Sequence, residues 1–344
     1  MVNADAPHAF GALIVRDPFG EEAVATYRGI VCDQSGPFVA SLRVQLTAPG
    51  HPCIEQTYTL YSGEKRLDIA VHLLKDPTPL LEAYLAFPFH LPGGGFRYEG
   101  PLCILDPSSD LLPGAYADRL TVQNWVAVSD GVASVLWSSR EAPVVSLGHL
   151  WPGRLSPAHS AVVRQDVEHP RQTAEDLRGG AIYSLLTANN CGTNFAVTQC
   201  GVLLFRYHIT STAGYVTDSQ AADFGQCSQA PLRTIFTEHD CPRSLPPVGS
   251  FLAVDPQEIR LLTLKIAEDG DGMILRLLNT SAMDIAARVS LPMLALQSAA
   301  LVTLAEEETG AELIVSPHEL TVPVASRAQA TVRLRGTPDR REES

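Results

Sequence analysis

The sequence predicts an all-β protein, a large antiparallel β-sandwich followed by a smaller one. Three observations carry this expectation. Apolar and polar residues alternate with period two in segment after segment. These segments are separated by short turn clusters such as PGHP at 49–52, KDPTP at 75–79 and LPGGG at 91–95. No long segment keeps a 3.6-residue apolar period, so no long helix is expected.

Each strand follows from its own pattern. Phe38, Ala40, Leu42, Val44 and Leu46 share one face, and Val39, Ser41, Arg43 and Gln45 share the other. Leu67, Ile69, Val71 and Leu73 face one way, with Asp68 and His72 opposite. Leu203, Phe205, Tyr207 and Ile209 alternate with Arg206, His208 and Thr210. Each is the signature of a half-buried strand. Further along, Ile259–Ile266 and Met273–Leu278 flank the Glu268–Gly272 segment, EDGDG. Asp-Gly takes positive φ readily, so this reads as a hairpin turn. Calcium binding by the turn is the sharper alternative, but the EF-hand spacing is not met. Later strands are expected at Ala287–Leu291, Glu312–Val315 and Ala330–Leu334. The 25 glycines and 25 prolines suit a turn-rich fold.

A Pro-rich stretch with few apolar anchors, CPRSLPPVGS at 241–250, marks the expected boundary. The larger sandwich is placed at 1–245, the smaller at 246–338, and the charged tail 339–344 is expected to fray.

Composition limits the function classes. With 344 residues, 45% apolar and 18% charged, the chain is long and apolar enough for a sizeable core. A formal net charge of −13 argues against a nucleic-acid partner, which needs clustered Lys and Arg. No run of 18 apolar residues occurs, so no membrane-spanning helix is expected. The first residues, MVNADAPHAFGALIVRDPFG, lack a basic segment followed by an apolar one, so no secretory leader is expected. The seven cysteines match no zinc-ribbon or CxxC spacing and read as reduced cytoplasmic thiols. Nucleophile-elbow, dinucleotide, Walker and HExxH motifs are absent. His51-Pro52-Cys53 and His239-Asp240-Cys241 are half-sites for a metal at most, and chance neighbours in loops explain them better. With 38 acidic residues, coincidental carboxylate pairs are expected, and sequence gives no separation for a glycosidase pair.

Three segments in order, Leu81–Phe89 (LEAYLAFPF), Ile182–Tyr207 and Leu262–Leu277, resemble the C-terminal β-rich half of family 38 glycoside hydrolases, the α-mannosidase family. Val122–Gly131 (VQNWVAVSDG) and Ala142–Arg154 resemble connecting stretches of the same family, with His149 where an acid is common. The IYSLLTANNCGTNFAVTQCG stretch resembles the family's Asn-rich segment, with Cys191 at the usual Trp position. The resemblance implies a galactose-mutarotase-like super-sandwich followed by a small β-sandwich. It also implies that the nucleophile and zinc belong to an N-terminal α/β catalytic domain that this chain is not expected to include. No cofactor is therefore expected on this chain itself.

Candidate sugar-contacting or pocket-wall residues are Asn189, Asn190, Thr193, Asn194, Gln199 and Arg276. Neutral amides and hydroxyls suit a polyhydroxylated ligand, which offers no charge to pair. They equally suit an irregular loop whose backbone groups they satisfy. Arg276 lies on a partly apolar strand face and needs a partner, with Glu268 as the nearby carboxylate. Trp125, Trp137 and Trp151 read as core or rim before sugar platforms.

The leading functional expectation is a carbohydrate-binding, scaffolding portion of an α-mannosidase-like hydrolase, completed by a separate catalytic domain or chain. Its ligand would be a mannose-type glycan. A stand-alone or degenerate glycan-binding module is the second reading. The third, by fold analogy, is another carbohydrate-active enzyme such as an epimerase or lyase, using residues such as His72, His208 and Glu82. A homodimer through an exposed sheet face is a further expected assembly.

Overall fold

The computed structural model describes residues 2–17, 21–78, 80–112, 115, 117–150, 177–189, 198–236 and 248–338. The chain divides into two compact units, Met1–Pro231 and Leu232–Ser344. This division falls ahead of the Pro-rich stretch at 241–250.

In the first unit the strands are β1 (Leu13–Arg16), β2 (Glu22–Val24), β3 (Thr26–Ser35), β4 (Val39–Ala48), β5 (His51–Tyr61), β6 (Leu67–Lys75) and β7 (Glu82–Leu91). They continue with β8 (Gly95–Gly100), β9 (Cys103–Leu105), β10 (Leu120–Thr121), β11 (Val126–Ser129), β12 (Ala133–Ser139), β13 (Val144–Leu147), β14 (Gly179–Ala188) and β15 (Gly201–Ala213). Among the described residues they form a six-stranded sheet, β10-β13-β14-β7-β1-β2, and a nine-stranded sheet, β3-β4-β5-β6-β15-β12-β11-β8-β9. The pairings are antiparallel.

Alternation decides which face is buried. Ile69, Val71 and Leu73 of β6 and Phe205, Tyr207 and Ile209 of β15 turn inward. They meet Leu13, Val15, Leu85, Phe87 and Ile182 from the smaller sheet in one continuous core. This is the sandwich that the sequence pattern predicts. Trp125 and Trp137 are fully buried core residues, and neither indole N–H has a hydrogen-bond partner among the described residues. Both are therefore removed from any sugar platform, while Trp151 lies outside the described residues.

Among the described residues one helix, α1 (Asp218–Gln229), departs from the expectation. It packs Ala221 with Val216 against Trp125, Ala127 and Leu136 on the outer face of the nine-stranded sheet. Thr217 caps it through a reciprocal box with Gln220. The buried positions of the helix are Ala221, Ala222, Gly225 and Ser228, so no large apolar stripe announces it.

The second unit has β16 (Ala253–Asp255), β17 (Ile259–Ile266), β18 (Met273–Asn279), β19 (Ile285–Ser290), β20 (Leu294–Val302), β21 (Glu308–Leu313), β22 (Glu319–Val324) and β23 (Gln329–Pro338). A three-stranded sheet, β16-β19-β22, and a five-stranded sheet, β17-β18-β23-β20-β21, enclose a second core around Leu275, Leu277, Val289, Val322, Val332 and Leu334. The expected 268–272 turn joins β17 and β18, with Gly270 and Gly272 at φ +78° and +85°. Its acids are held by arginines. Arg333 donates to both Asp269 carboxylate oxygens at 2.8 Å, and Arg335 Nε donates to Asp271 at 2.9 Å.

Candidate functional site

The first strand pair to consider is β7 with β14. Their register sets Ala188 opposite Glu82, so the Asn-rich stretch after β14 leaves the sheet beside the start of LEAYLAFPF. Two segments more than 100 residues apart in sequence thus meet at one corner, Leu81 and Asn189 being separated by 108 positions. Asn189, nearly buried, is the clasp. Its side-chain amide donates to the Thr78 carbonyl and its Oδ1 accepts from Leu81 N at 3.4 Å. Its own backbone pairs with Leu80 and Leu81. The residue that sequence offered either as a sugar contact or as a satisfier of loop backbone makes the second kind of contact. Asn189→Ala is expected to destabilise the larger unit by about 1–3 kcal/mol, because buried backbone groups lose their partner. Urea denaturation followed by tryptophan fluorescence measures it.

Below this clasp lie two buried nitrogen bases. Lys75 Nζ sits 3.5 Å from the same Thr78 carbonyl, and burial pulls its pKa below the usual lysine range. His51 Nδ1 donates to Pro49 O at 2.9 Å, and burial likewise pulls its pKa down, favouring the neutral ring. His51 is fully buried while Cys53 is exposed, so the two do not form the metal half-site that their spacing suggested.

The outer face of the six-stranded sheet holds a denser polar cluster. Arg16 and Glu82 are cross-strand partners, as are Ile14 and Tyr84 and Arg16 and Glu22. Tyr84 OH donates to Glu82 Oε2 at 2.7 Å. Arg119 donates to Glu82 Oε1 and, at 2.7 Å, to the Tyr84 oxygen. The Arg16 and Arg119 guanidiniums also lie 5.7 and 5.9 Å from the Tyr84 ring centre. Arg16 donates to Glu22 at 2.7 Å, and His8 bridges Glu22 at 3.1 Å and Tyr183 OH at 3.3 Å. Burial first, with the Glu82 charge adding to it, raises the Tyr84 phenol, so Tyr84 stays a proton donor. Such a chain of carboxylates, guanidiniums and phenols presents hydrogen-bonding groups at fixed positions from rigid strands.

Burial also pushes the phenols of Tyr58 and Tyr183 up to about 12. A phenol held above its unfolded value of about 10 contributes stability that is complete below pH 10 and lost as pH rises toward 12. Alkaline unfolding is therefore expected above about pH 10, with native tyrosinate absorbance rising about two pH units later than in urea.

Other predicted residues fall elsewhere. Asn190, Thr193 and Asn194 lie outside the described residues, and Gln199 is exposed. Arg276, in the second unit, donates to Leu304 O at 2.9 Å and lies 3.8 Å from Glu306. Its carboxylate partner is Glu306 and not Glu268, which bonds Lys265 instead. The β20–β21 connection brings Glu306 near, while Glu268 is nearer only along the chain. Glu82 lies in the smaller sheet, whereas His72 and His208 lie in the larger, so these three do not converge. His208 Nδ1 pairs with Asp68 at 2.8 Å, and Arg66 donates to the same carboxyl at 2.7 and 3.2 Å. Burial pushes the Asp68 carboxyl up, but those bonds outweigh it and hold it below the usual aspartate range.

The fold is similar to that of solved α-mannosidase-family structures. An α-mannosidase from Enterococcus faecalis V583 superposes with a TM-score of 0.65 at 12% identity, over 94% of this chain and 38% of that chain. A glycosyl hydrolase family 38 protein from Enterococcus faecalis does so at 0.65 and 13%, over 94% and 40%. At this identity the likeness shows the fold. A galactose 1-epimerase from Lactobacillus acidophilus NCFM overlaps at a TM-score of 0.32 and 9% identity, over 56% of this chain and 68% of that chain, too low to argue from. No curated protein matches. Residues 258–330 match the family model of the glycosyl hydrolases family 38 C-terminal beta sandwich domain. The match covers the Leu262–Leu277 segment of the three that carry the resemblance, and the chain spans about two fifths of the length of the α-mannosidase structures it matches.

Proposed function

We propose that this chain is the carbohydrate-binding and scaffolding C-terminal portion of an α-mannosidase-like glycoside hydrolase. It forms part of the wall of a sugar pocket whose catalytic residues another domain or chain supplies. The observation that carries the reading is the family 38 C-terminal domain at 258–330 within a fold that follows α-mannosidase structures over 94% of the chain. In this reading the Asn189–Asn194 stretch, Gln199 and Arg276 keep their assignment as pocket-wall candidates.

The retaining chemistry of such enzymes needs a nucleophile and an acid/base on either side of the glycosidic bond. Those groups, and the zinc that the resemblance implies, are assigned to the catalytic partner. Among the described residues no group of three His, Cys, Asp or Glu side chains is arranged to hold a metal ion. The proposal also places the protein in the cytoplasm, where Cys32, Cys53, Cys103, Cys200 and Cys227 remain free thiols.

Affinity purification of the tagged chain from host cells, followed by mass spectrometry, tests the partner. A co-purifying chain with a family 38 catalytic domain, and aryl α-mannoside hydrolysis only by the pair, supports the reading. Turnover of an aryl α-mannoside by this chain alone overturns it. Calorimetric titration with mannose and mannobiose tests sugar contact, and absence of heat from the chain and from the assembled pair removes that part. A second feature favours assembly. The β3–β4 hairpin exposes Tyr27, Ile30 and Phe38, apolar groups suited to the catalytic part or to a second copy. Gel filtration with light scattering separates the two.

A further inference from the structure

Within the larger unit, at the end of the sandwich opposite the Asn189 corner along β7, the two sheets do not close on each other. A cavity of about 500 Å³ remains. Phe89 of the smaller sheet and Phe10 form one wall, with ring centres 6.1 Å apart. Leu60, Leu67, Val135 and Ile209 of the larger sheet form the other. Register explains the smooth second wall, since Leu60 pairs with Leu67 and Leu67 with Ile209 across three strands. Val135 and Ile209 are buried, whereas Leu60 is 54% exposed and marks the mouth.

The volume is within the range of small-molecule sites, about 300–1,000 Å³. Its two facing walls are apolar and suit a sugar poorly, because hydroxyl groups between them would lose water without finding partners; the polar lining residues are Glu64, Lys65, Arg66, Thr210 and Ser211. An alkyl chain instead restores the dispersion contacts that the facing side chains lack. The mouth has its own chemistry. Lys65 is exposed and, among the described residues, makes no ion pair, while the Thr210 hydroxyl donates to its carbonyl and fixes the turn. Beside it, Arg66 is committed to Asp68 and Glu64.

We propose that this cavity binds a single-chain amphiphile, with its alkyl tail between the sheets and an anionic head on the Lys65 ammonium. The proposal does not rest on the sugar-wall reading and stands whether or not that reading holds.

Calorimetric titration of the full chain with octanoate, decanoate and decanol, each below its micellar range, tests it. Each added methylene should tighten binding about fourfold, so decanoate should exceed octanoate by about tenfold or more. Lys65→Glu should weaken decanoate about tenfold and leave decanol unchanged. Leu60→Asp, at an exposed position, should abolish binding of both without shifting the melting temperature. Absence of saturable heat, or affinity that ignores chain length, overturns the site. An unchanged decanoate-to-decanol ratio in Lys65→Glu overturns the anionic head. If Leu60→Asp does not fold, the chain-length series and Lys65→Glu still decide.

Discussion

Arg119→Ala is expected to lower the unfolding free energy of the larger unit by about 3–5 kcal/mol. The substitution removes a guanidinium that bonds both Glu82 and Tyr84. Glu82 is only 2% exposed, so its carboxylate would lose a cationic donor in a poor solvent, while the neutral Tyr84 hydroxyl still donates to it. An uncompensated buried charge is among the most damaging single defects that a fold sustains. Replacing both partners, Glu82→Gln with Arg119→Met, is expected to recover much of the loss. All three tryptophans, Trp125, Trp137 and Trp151, belong to the larger unit, so their fluorescence in a urea titration reports on it selectively. A loss below about 1 kcal/mol would reduce the bridge to the worth of a surface ion pair.

Phe87→Ala should be as severe, about 3–5 kcal/mol, for a different reason. Phe87 is the hub where the two sheets meet. Its ring centre lies 5.0 Å from Tyr207, 5.7 Å from Trp137 and 5.7 Å from Phe10. Truncation leaves a void walled by rigid strands on both sides, which relax little. Phe87→Leu keeps most of the volume and should cost clearly less. Because Trp137 borders the void, its emission in the native state should shift as well. An Ala variant within about 1 kcal/mol of the parent would mean that the sheets close over the gap.

Part of this architecture was legible because β6 and β15 have one wet face. β6 and β15 alternate cleanly since Asp68, His72, Arg206 and His208 meet solvent or one another while their neighbours enter the core. β7 gives no such signal, as nearly every residue from Glu82 to Leu91 is buried. It was readable only as a motif. β20 escaped notice because a register shift between Leu296 and Ser298 breaks its alternation. α1 escaped because it packs small residues, although Thr217 and Gln220 spelled a capping box.

The site was less legible, and the reason is register. Sequence placed Glu82 in a recognisable strand but offered nothing to set Arg16 across from it or Arg119 over it. Asn189 stood out as an amide in a loop, yet its bond to the Thr78 carbonyl depends on β14 lying beside β7. For Arg276, proximity along the chain suggested Glu268, and the fold of the β20–β21 connection supplied Glu306. Partners brought together by sheet pairing are invisible until the pairing is known.

The order in which the smaller sheet is sewn together has a consequence for the protein's birth. β7 receives β1 on one flank from chain already made, but its other flank waits for β14, roughly a hundred residues later. At a translation rate of about 5–20 residues per second, that wait lasts roughly 5–20 s. Throughout it, LEAYLAFPF is a nascent apolar strand with one bare edge, the kind of segment to which ribosome-associated chaperones attach. Yield in cells should therefore respond to chaperone supply and growth temperature well before any change in the finished protein's stability is felt.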